Sequence, residues 1–169
     1  MIDVNPAPTT HRDGRLVRVK RRAARPALLL GALALSAAVS AQGAAQPPLP
    51  TVELGAGTHR IVAEVARTPM QQQLGLMYRE RMAPNAGMLF VYEQPQPHCF
   101  WMRNTVLPLT VAFVDDQGRI VNLLDMQPHT DDSHCAAKPV RYALEMNQGW
   151  FAKRHLGVGA RLRGAPFTP

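Results

Sequence analysis

The stretch Leu109-Thr-Val-Ala-Phe-Val-Asp-Asp-Gln-Gly-Arg-Ile-Val-Asn-Leu-Leu124 is the one on which the fold turns. Two apolar runs rich in β-branched residues, 109–114 and 119–124, flank Asp115-Asp-Gln-Gly118. Turn-forming residues between two such runs specify an antiparallel hairpin. Other segments follow the same pattern. His59–Ala66 alternates apolar and polar residues and reads as a strand. Gly87–Tyr92, Cys99–Arg103 and Arg141–Met146 read as further strands, and Val158–Arg163 as an edge strand. Thr68-Pro69 fits an N-cap followed by proline at the first helical position, so a short helix is expected over 70–77. A second short helix is expected over Gly149–His155, with Gly157 ending it. Strands at hairpin spacing with only short helices predict an α+β fold, either a mostly antiparallel β-sheet or a partly closed barrel with two short helices. No repeat or heptad is present, and no glycine loop precedes a helix as phosphate binding requires.

The chain has 169 residues and a formal net charge of +7. Much of that charge lies ahead of the hairpin region. Arg18, Lys20, Arg21, Arg22 and Arg25 precede an apolar run from Ala27 to Val39, and Val39-Ser40-Ala41 has the small-x-small pattern of a cleavage point. These features predict a secretory signal peptide with an N-terminal extension over residues 1–41, and hence a periplasmic or secreted protein. The apolar run is shorter than the roughly 18 residues that a membrane span needs. Contact with a membrane is therefore expected only through an uncleaved signal. Beyond residue 41 the chain keeps 12 basic and 10 acidic side chains, a net charge of +2. That balance argues against a nucleic-acid partner, which needs a dense basic surface. Residues 42–57, rich in Pro, Gly and Ala, read as a linker. A single globular domain is then expected over 58–164.

Several blocks in this domain resemble a known family. They are Thr68-Pro69 with Gly75-Leu76-Met77, Gly87-Met-Leu-Phe90, Phe100-Trp-Met-Arg-Asn-Thr105 with Pro108-Leu109, Asp115–Val121, and Arg141–Asn147 with Gly149-Trp150. In this order they are similar to the domain of unknown function 192 family of bacteria and archaea, whose members are often exported. The resemblance implies a compact domain rich in antiparallel β-structure and carries no assigned reaction. The family often has Asp after its Pro-Leu pair, where this chain has Thr110.

The chain has two cysteines, Cys99 and Cys135, each preceded by a histidine (His98, His134). Side chains alternate along a strand, so His98 and Cys99 point to opposite faces and cannot easily grip one ion together. The spacing also differs from the Cys-x-x-Cys and His-x₃-His units of zinc sites. In an oxidising compartment two cysteines usually pair, so a Cys99–Cys135 disulfide is expected and no metal site is assigned. A copper or zinc site built on these residues with Met102 or Met126 stands as an alternative.

The remaining polar residues suggest a small-ligand site. Arg103 and Asn104 end one strand, Glu145 and Asn147 share a face of another, and Trp101 and Trp150 supply aromatic surfaces. Such a set suits a small polar or sugar-like ligand in a cleft between the two tryptophans. The same residues also fit a purely structural set, with Arg103 paired to Glu145. No catalytic set and no cofactor is specified. Asp125, Asp131, Asp132 and Glu145 leave open a hydrolase that works through carboxylates. The expectation is thus a ligand-binding or accessory module of the cell envelope, with metal binding and hydrolysis as alternatives.

Overall fold

A computed structural model of the protein describes residues 43–167. The expected signal peptide lies outside the described residues. The domain is built from β1 (Thr51–Ala56), β2 (His59–Ala66), α1 (Pro69–Leu74), β3 (Ala86–Gln96), β4 (Cys99–Phe100), β5 (Leu109–Val114), β6 (Ile120–Met126), β7 (His134–Cys135), β8 (Val140–Asn147) and β9 (Leu162–Arg163). Seven strands form one sheet in the order β6-β5-β8-β3-β2-β1-β9, and β4 and β7 form a small second ladder. The only parallel pair among the described strands is β2 with β3, where α1 makes the crossover.

The two edges of the large sheet approach each other. Arg119 bridges Arg161, the Gly159 N–H donates to the Ile120 carbonyl at 2.8 Å, and the Leu162 N–H donates to the Gly118 carbonyl at 2.7 Å. The sheet therefore curls into a half-barrel. Gly118 makes that approach feasible. Its φ is +78°, which suits the hairpin turn, and a Cβ there would collide with the Leu162 carbonyl.

Both faces of the central strands are covered. Ile61, Leu89, Leu144, Ala112 and Leu162 line the concave face with Trp150 and Phe151. Met88, Phe90, Val111, Phe113 and Ala143 form the outer face, on which α1 and the segments around Phe100, Met102, Leu107 and Ala136 pack. All six residues of β5 are buried, as expected of a strand covered on both faces. Ala143 pairs with Phe90 on one side and Phe113 on the other, leaving a shallow seat between two rings. Phe100 packs edge-on against both, with ring centroids 4.8 and 5.7 Å apart.

The β5–β6 hairpin and the strands β2, β3 and β8 lie where the hydrophobic pattern put them. Thr68 caps α1 in a capping box with Gln71. Three expectations are corrected. The supposed linker contains β1, whose alternating Thr51-Val-Glu-Leu pairs along its whole length with β2; flanking Pro and Gly residues disguised it. The expected second helix is a single 3-10 turn, Ala152–Arg154, ended by His155 at φ 54°. The Cys99–Arg103 strand stops at Phe100, because Trp101 onward follows the sheet surface and the Met102 N–H bonds to the Thr130 carbonyl. The polar segment 127–138 also contains a strand, β7.

Cys99 and Cys135 face each other across the β4–β7 ladder and form a disulfide. The bond joins positions 36 residues apart. Constraining a loop of that length in the unfolded chain is worth about 4 kcal/mol. Urea unfolding of a Cys99→Ala/Cys135→Ala double variant should therefore show a loss of about 4 kcal/mol. A loss below about 1 kcal/mol would mean that the outer layer holds without its covalent link.

Candidate functional site

Along β8, Arg141, Ala143, Glu145 and Asn147 point to the outer face. Glu145 pairs with Met88 of β3 and Val111 of β5, so its flanking neighbours on the sheet are apolar. The segment holding Phe100 closes over this row, and Glu145 is only 4% exposed. No hydrogen bond or ion pair joins its carboxyl group to any described residue. Loss of water on burial pushes its pKa up to about 8. Near neutral pH the group is therefore mostly a protonated, neutral acid. Tyr92, two residues beyond Phe90 on the same face of β3, has its phenol pKa raised by burial and then by the charge of Glu145.

Glu145 lines a cavity of about 270 Å³. Its walls come from α1 and the turn after it (Gln72, Gly75), from β3 (Phe90, Tyr92) and from the Phe100–Thr105 segment. Trp101 stands at the edge, 45% exposed. Cys99, half of the disulfide, also lines it. The sequence brings these groups together in three ways. The capping box and Gly75 at the end of α1 fix the helix over Phe90, Phe100 packs against Phe90 and Phe113, and the disulfide anchors the strand that leads to Trp101.

The expected site residues divide among separate places. Trp101 and Glu145 share the cavity. Arg103 does not reach Glu145. Its Nε donates to Asp131 Oδ1 at 2.8 Å on the surface, and its guanidinium stacks 4.4 Å from the Trp101 ring centroid. This hydrogen bond raises the Arg103 pKa and lowers that of Asp131. Asn104 is exposed in a left-handed conformation (φ 61°), and its carbonyl accepts from the Tyr78 N–H. Asn147 donates to the Ala83 carbonyl, and Trp150 lies in the concave core with its Nε1 donating to Asn85 Oδ1 at 3.0 Å. These two line a different depression, beside Arg154. Trp101 and Trp150 thus serve opposite layers and do not face each other across one cleft. Tyr92, Gln72 and Thr105 are cavity residues that the sequence reading passed over. The alternation Met88, Phe90, Tyr92 was the available cue for Tyr92; nothing local marks the other two.

The disulfide consumes both thiols, so they cannot act as thiolate ligands together. Among the described residues, no three His, Cys, Asp or Glu side chains converge on a point. His98 stacks on Tyr92 with ring centroids 3.4 Å apart, and burial lowers its pKa. The carboxylates are dispersed as well. Asp125 accepts from the Thr110 hydroxyl at 2.5 Å, Asp131 holds Arg103, and Asp132 is exposed. Thr110, at the position where the family often carries Asp, also accepts the Gly149 N–H at 3.3 Å, so a carboxylate reaches this place across the strand pair from Asp125.

Residues 51–164 match the family described as uncharacterized ACR, domain of unknown function 192. The chain belongs to this family. No curated protein matches it. Crystal structures similar to this chain include the following two. One is a protein of Sinorhizobium meliloti 1021, described only provisionally, as a transcription regulator; it is 37% identical over 68% of this chain and 92% of its own, with a TM-score of 0.64. The other is a protein of unknown function from Novosphingobium aromaticivorans DSM 12444, 33% identical over 69% and 86% of the two chains, also with a TM-score of 0.64.

The buried acid has a measurable consequence. A carboxyl whose folded-state pKa exceeds its unfolded value keeps its full contribution below about pH 4.5 and loses it as pH rises to about 8. The wild type should therefore lose roughly 1.4 kcal/mol per pH unit across that window relative to Glu145→Gln. Urea titrations of both proteins at pH 5 and pH 8 measure this. Equal pH slopes in the two would show that Glu145 is solvated.

Proposed function

We propose that the protein is an exported, disulfide-closed module that binds a small polar ligand in the cavity beside Glu145. One observation carries this reading. A carboxyl group without a hydrogen-bonding or charged partner lines a cavity next to a half-exposed tryptophan. The carboxyl faces the open cavity, and a ligand there would supply a hydrogen-bonding partner that the described residues do not. Aromatic walls with a few convergent polar groups are the usual make-up of small-molecule sites. Export is supported by the basic and apolar segments ahead of Ala41 and by a disulfide of the kind that persists in oxidising compartments.

A carboxyl with a raised pKa in a cavity is also what an acid-base enzyme presents. The binding reading is preferred because the carboxylate pair of a hydrolase is missing. Asp125, Asp131 and Asp132 do not line the cavity, and Tyr92 is the other ionisable group there.

Two measurements test the proposal. Mass spectrometry of the protein from a periplasmic fraction should find cleavage after Ala41 and no free thiol; an intact N-terminus with two reduced cysteines in the cytosol would remove the export reading. Thermal melts against monosaccharides and small polyols should identify a stabilising ligand. At one hundred times its Kd, that ligand should add about 2.7 kcal/mol. Trp101→Ala should weaken the effect and Glu145→Leu should remove it. Stabilisation that both variants retain would place the ligand elsewhere.

A further inference from the structure

The geometry points to a small organic ammonium ion as the ligand of the Glu145 cavity, an inference that deepens the binding proposal and rests on it. Four aromatic residues, Phe90, Tyr92, Phe100 and Trp101, line the space. Aromatic faces are electron-rich and attract cations, more strongly where water is excluded. Trp101 already demonstrates this, since the Arg103 guanidinium lies 4.4 Å from its ring centroid. Several polar side chains on the walls can accept hydrogen bonds from N–H donors. The Glu145 carboxyl and the Thr105 hydroxyl have no side-chain hydrogen bond to any described residue. The Gln72 amide spends its N–H donors on the Arg67 and Val91 carbonyls, which leaves its oxygen available. An ammonium group carries three such donors and the charge that Glu145 lacks.

A neutral sugar fits less well, because it brings no charge to the aromatic faces and cannot draw the carboxyl into its ionised form. An anion fits worst, as it would meet an acidic group with no cation on the walls.

The charged and titratable surroundings of Glu145 are few. From β3 it meets Tyr92, with His98 stacked behind that ring. From β5 it meets Val111, from α1 only amides and apolar groups, and from β4 a cysteine locked in the disulfide. The positive charge at the edge, Arg103, is held by Asp131 at 2.8 Å. No described cation therefore competes for the carboxylate. Without ligand, burial keeps Glu145 protonated near neutral pH. Binding of an ammonium ion favours the carboxylate and releases that proton to solvent. Affinity should then rise about tenfold per pH unit up to about pH 8 and level off above it, where Glu145 is already ionised.

The test uses three probes of similar size and different charge: butylammonium, 1-butanol and butyrate. Isothermal titration of the oxidised protein should rank butylammonium at least tenfold tighter than 1-butanol, with no binding of butyrate. Repeating the titration at pH 7 in buffers of different ionisation enthalpy should show release of about one proton per butylammonium bound. Glu145→Gln should weaken butylammonium at least tenfold and remove its pH dependence, with 1-butanol little changed. The proton count needs no variant, so it decides the matter even if Glu145→Gln folds poorly. Binding of 1-butanol or a monosaccharide as tight as butylammonium, or butylammonium binding without proton release, would overturn the cation assignment and leave the binding proposal standing. Absence of binding by every probe and every sugar would overturn both.

Discussion

The packing of Phe100 edge-on against Phe90 and Phe113, the cross-strand neighbours of Ala143, is the contact on which the rest of the domain depends. A half-barrel has two faces to cover, and only the concave one is covered by its own curl. The outer face of β3, β8 and β5 exposes Met88, Phe90, Val111 and Phe113 unless another segment lies across it. Fully burying one such side chain is worth about 1.5–3 kcal/mol, so the outer layer has a strong driving force but little secondary structure to hold its shape. The β4–β7 ladder is only two residues deep, and an isolated ladder of that kind is marginal in water. The disulfide makes it persistent by removing unfolded conformations in which Cys99 and Cys135 stray apart. Closing this layer is also what strips water from Glu145. One packing event thus completes the core and creates the unusual acid.

This dependence separates what could be read in the sequence from what could not. Hairpin β5–β6, the Thr68 cap and the half-cystine pair rest on local chemistry: turn residues between apolar runs, a hydroxyl ahead of proline, and two cysteines in a chain expected to leave the cytosol. Each is legible within a few residues or by counting. Strand β1 was hidden because its alternation lasts only four residues between proline and glycine. Arg141, Glu145 and Asn147 on one face of β8 have the pattern of a half-exposed strand. They become buried or half-buried through distant chain: the Phe100 segment covers Glu145, Asp116 pairs with Arg141, and the Ala83 carbonyl accepts from Asn147. The partner expected for Glu145, Arg103, is a plausible choice by composition. The backbone turns away at Trp101 and carries Arg103 to Asp131 on the surface. Pairings of this kind depend on where a covering segment leaves the sheet, and strand periodicity does not encode that.

Thr110 shows the same limit within one site. Its hydroxyl bridges Asp125 of β6 and the N–H of Gly149, tying the hairpin to the turn that launches Trp150 into the concave core. Read alone, the residue marks a departure from the family's acidic pattern. In the fold, a carboxylate still meets that turn from the neighbouring strand. A substitution in one strand can be offset across the ladder because Thr110 and Asp125 are direct cross-strand partners.

Glu145 is the harder case, and energetics decide how to regard it. As a structural residue it is a poor choice. An apolar side chain of similar size between Met88 and Val111 would bury without a desolvation cost, and replacing buried ionisable groups by apolar ones is often neutral or stabilising. Arg79 and Glu64 show what a structural use of charge looks like in this same domain. Two guanidinium nitrogens meet two carboxylate oxygens at 2.8 and 2.9 Å, and the Leu49 N–H adds a third bond to that carboxylate. Glu145 has no such set. Its neighbours are rings, a thioether and a valine, and the one open direction is the cavity. Natural chains break local rules mainly at functional or strained positions, and the carboxyl is placed where its desolvation can be relieved only from the cavity side.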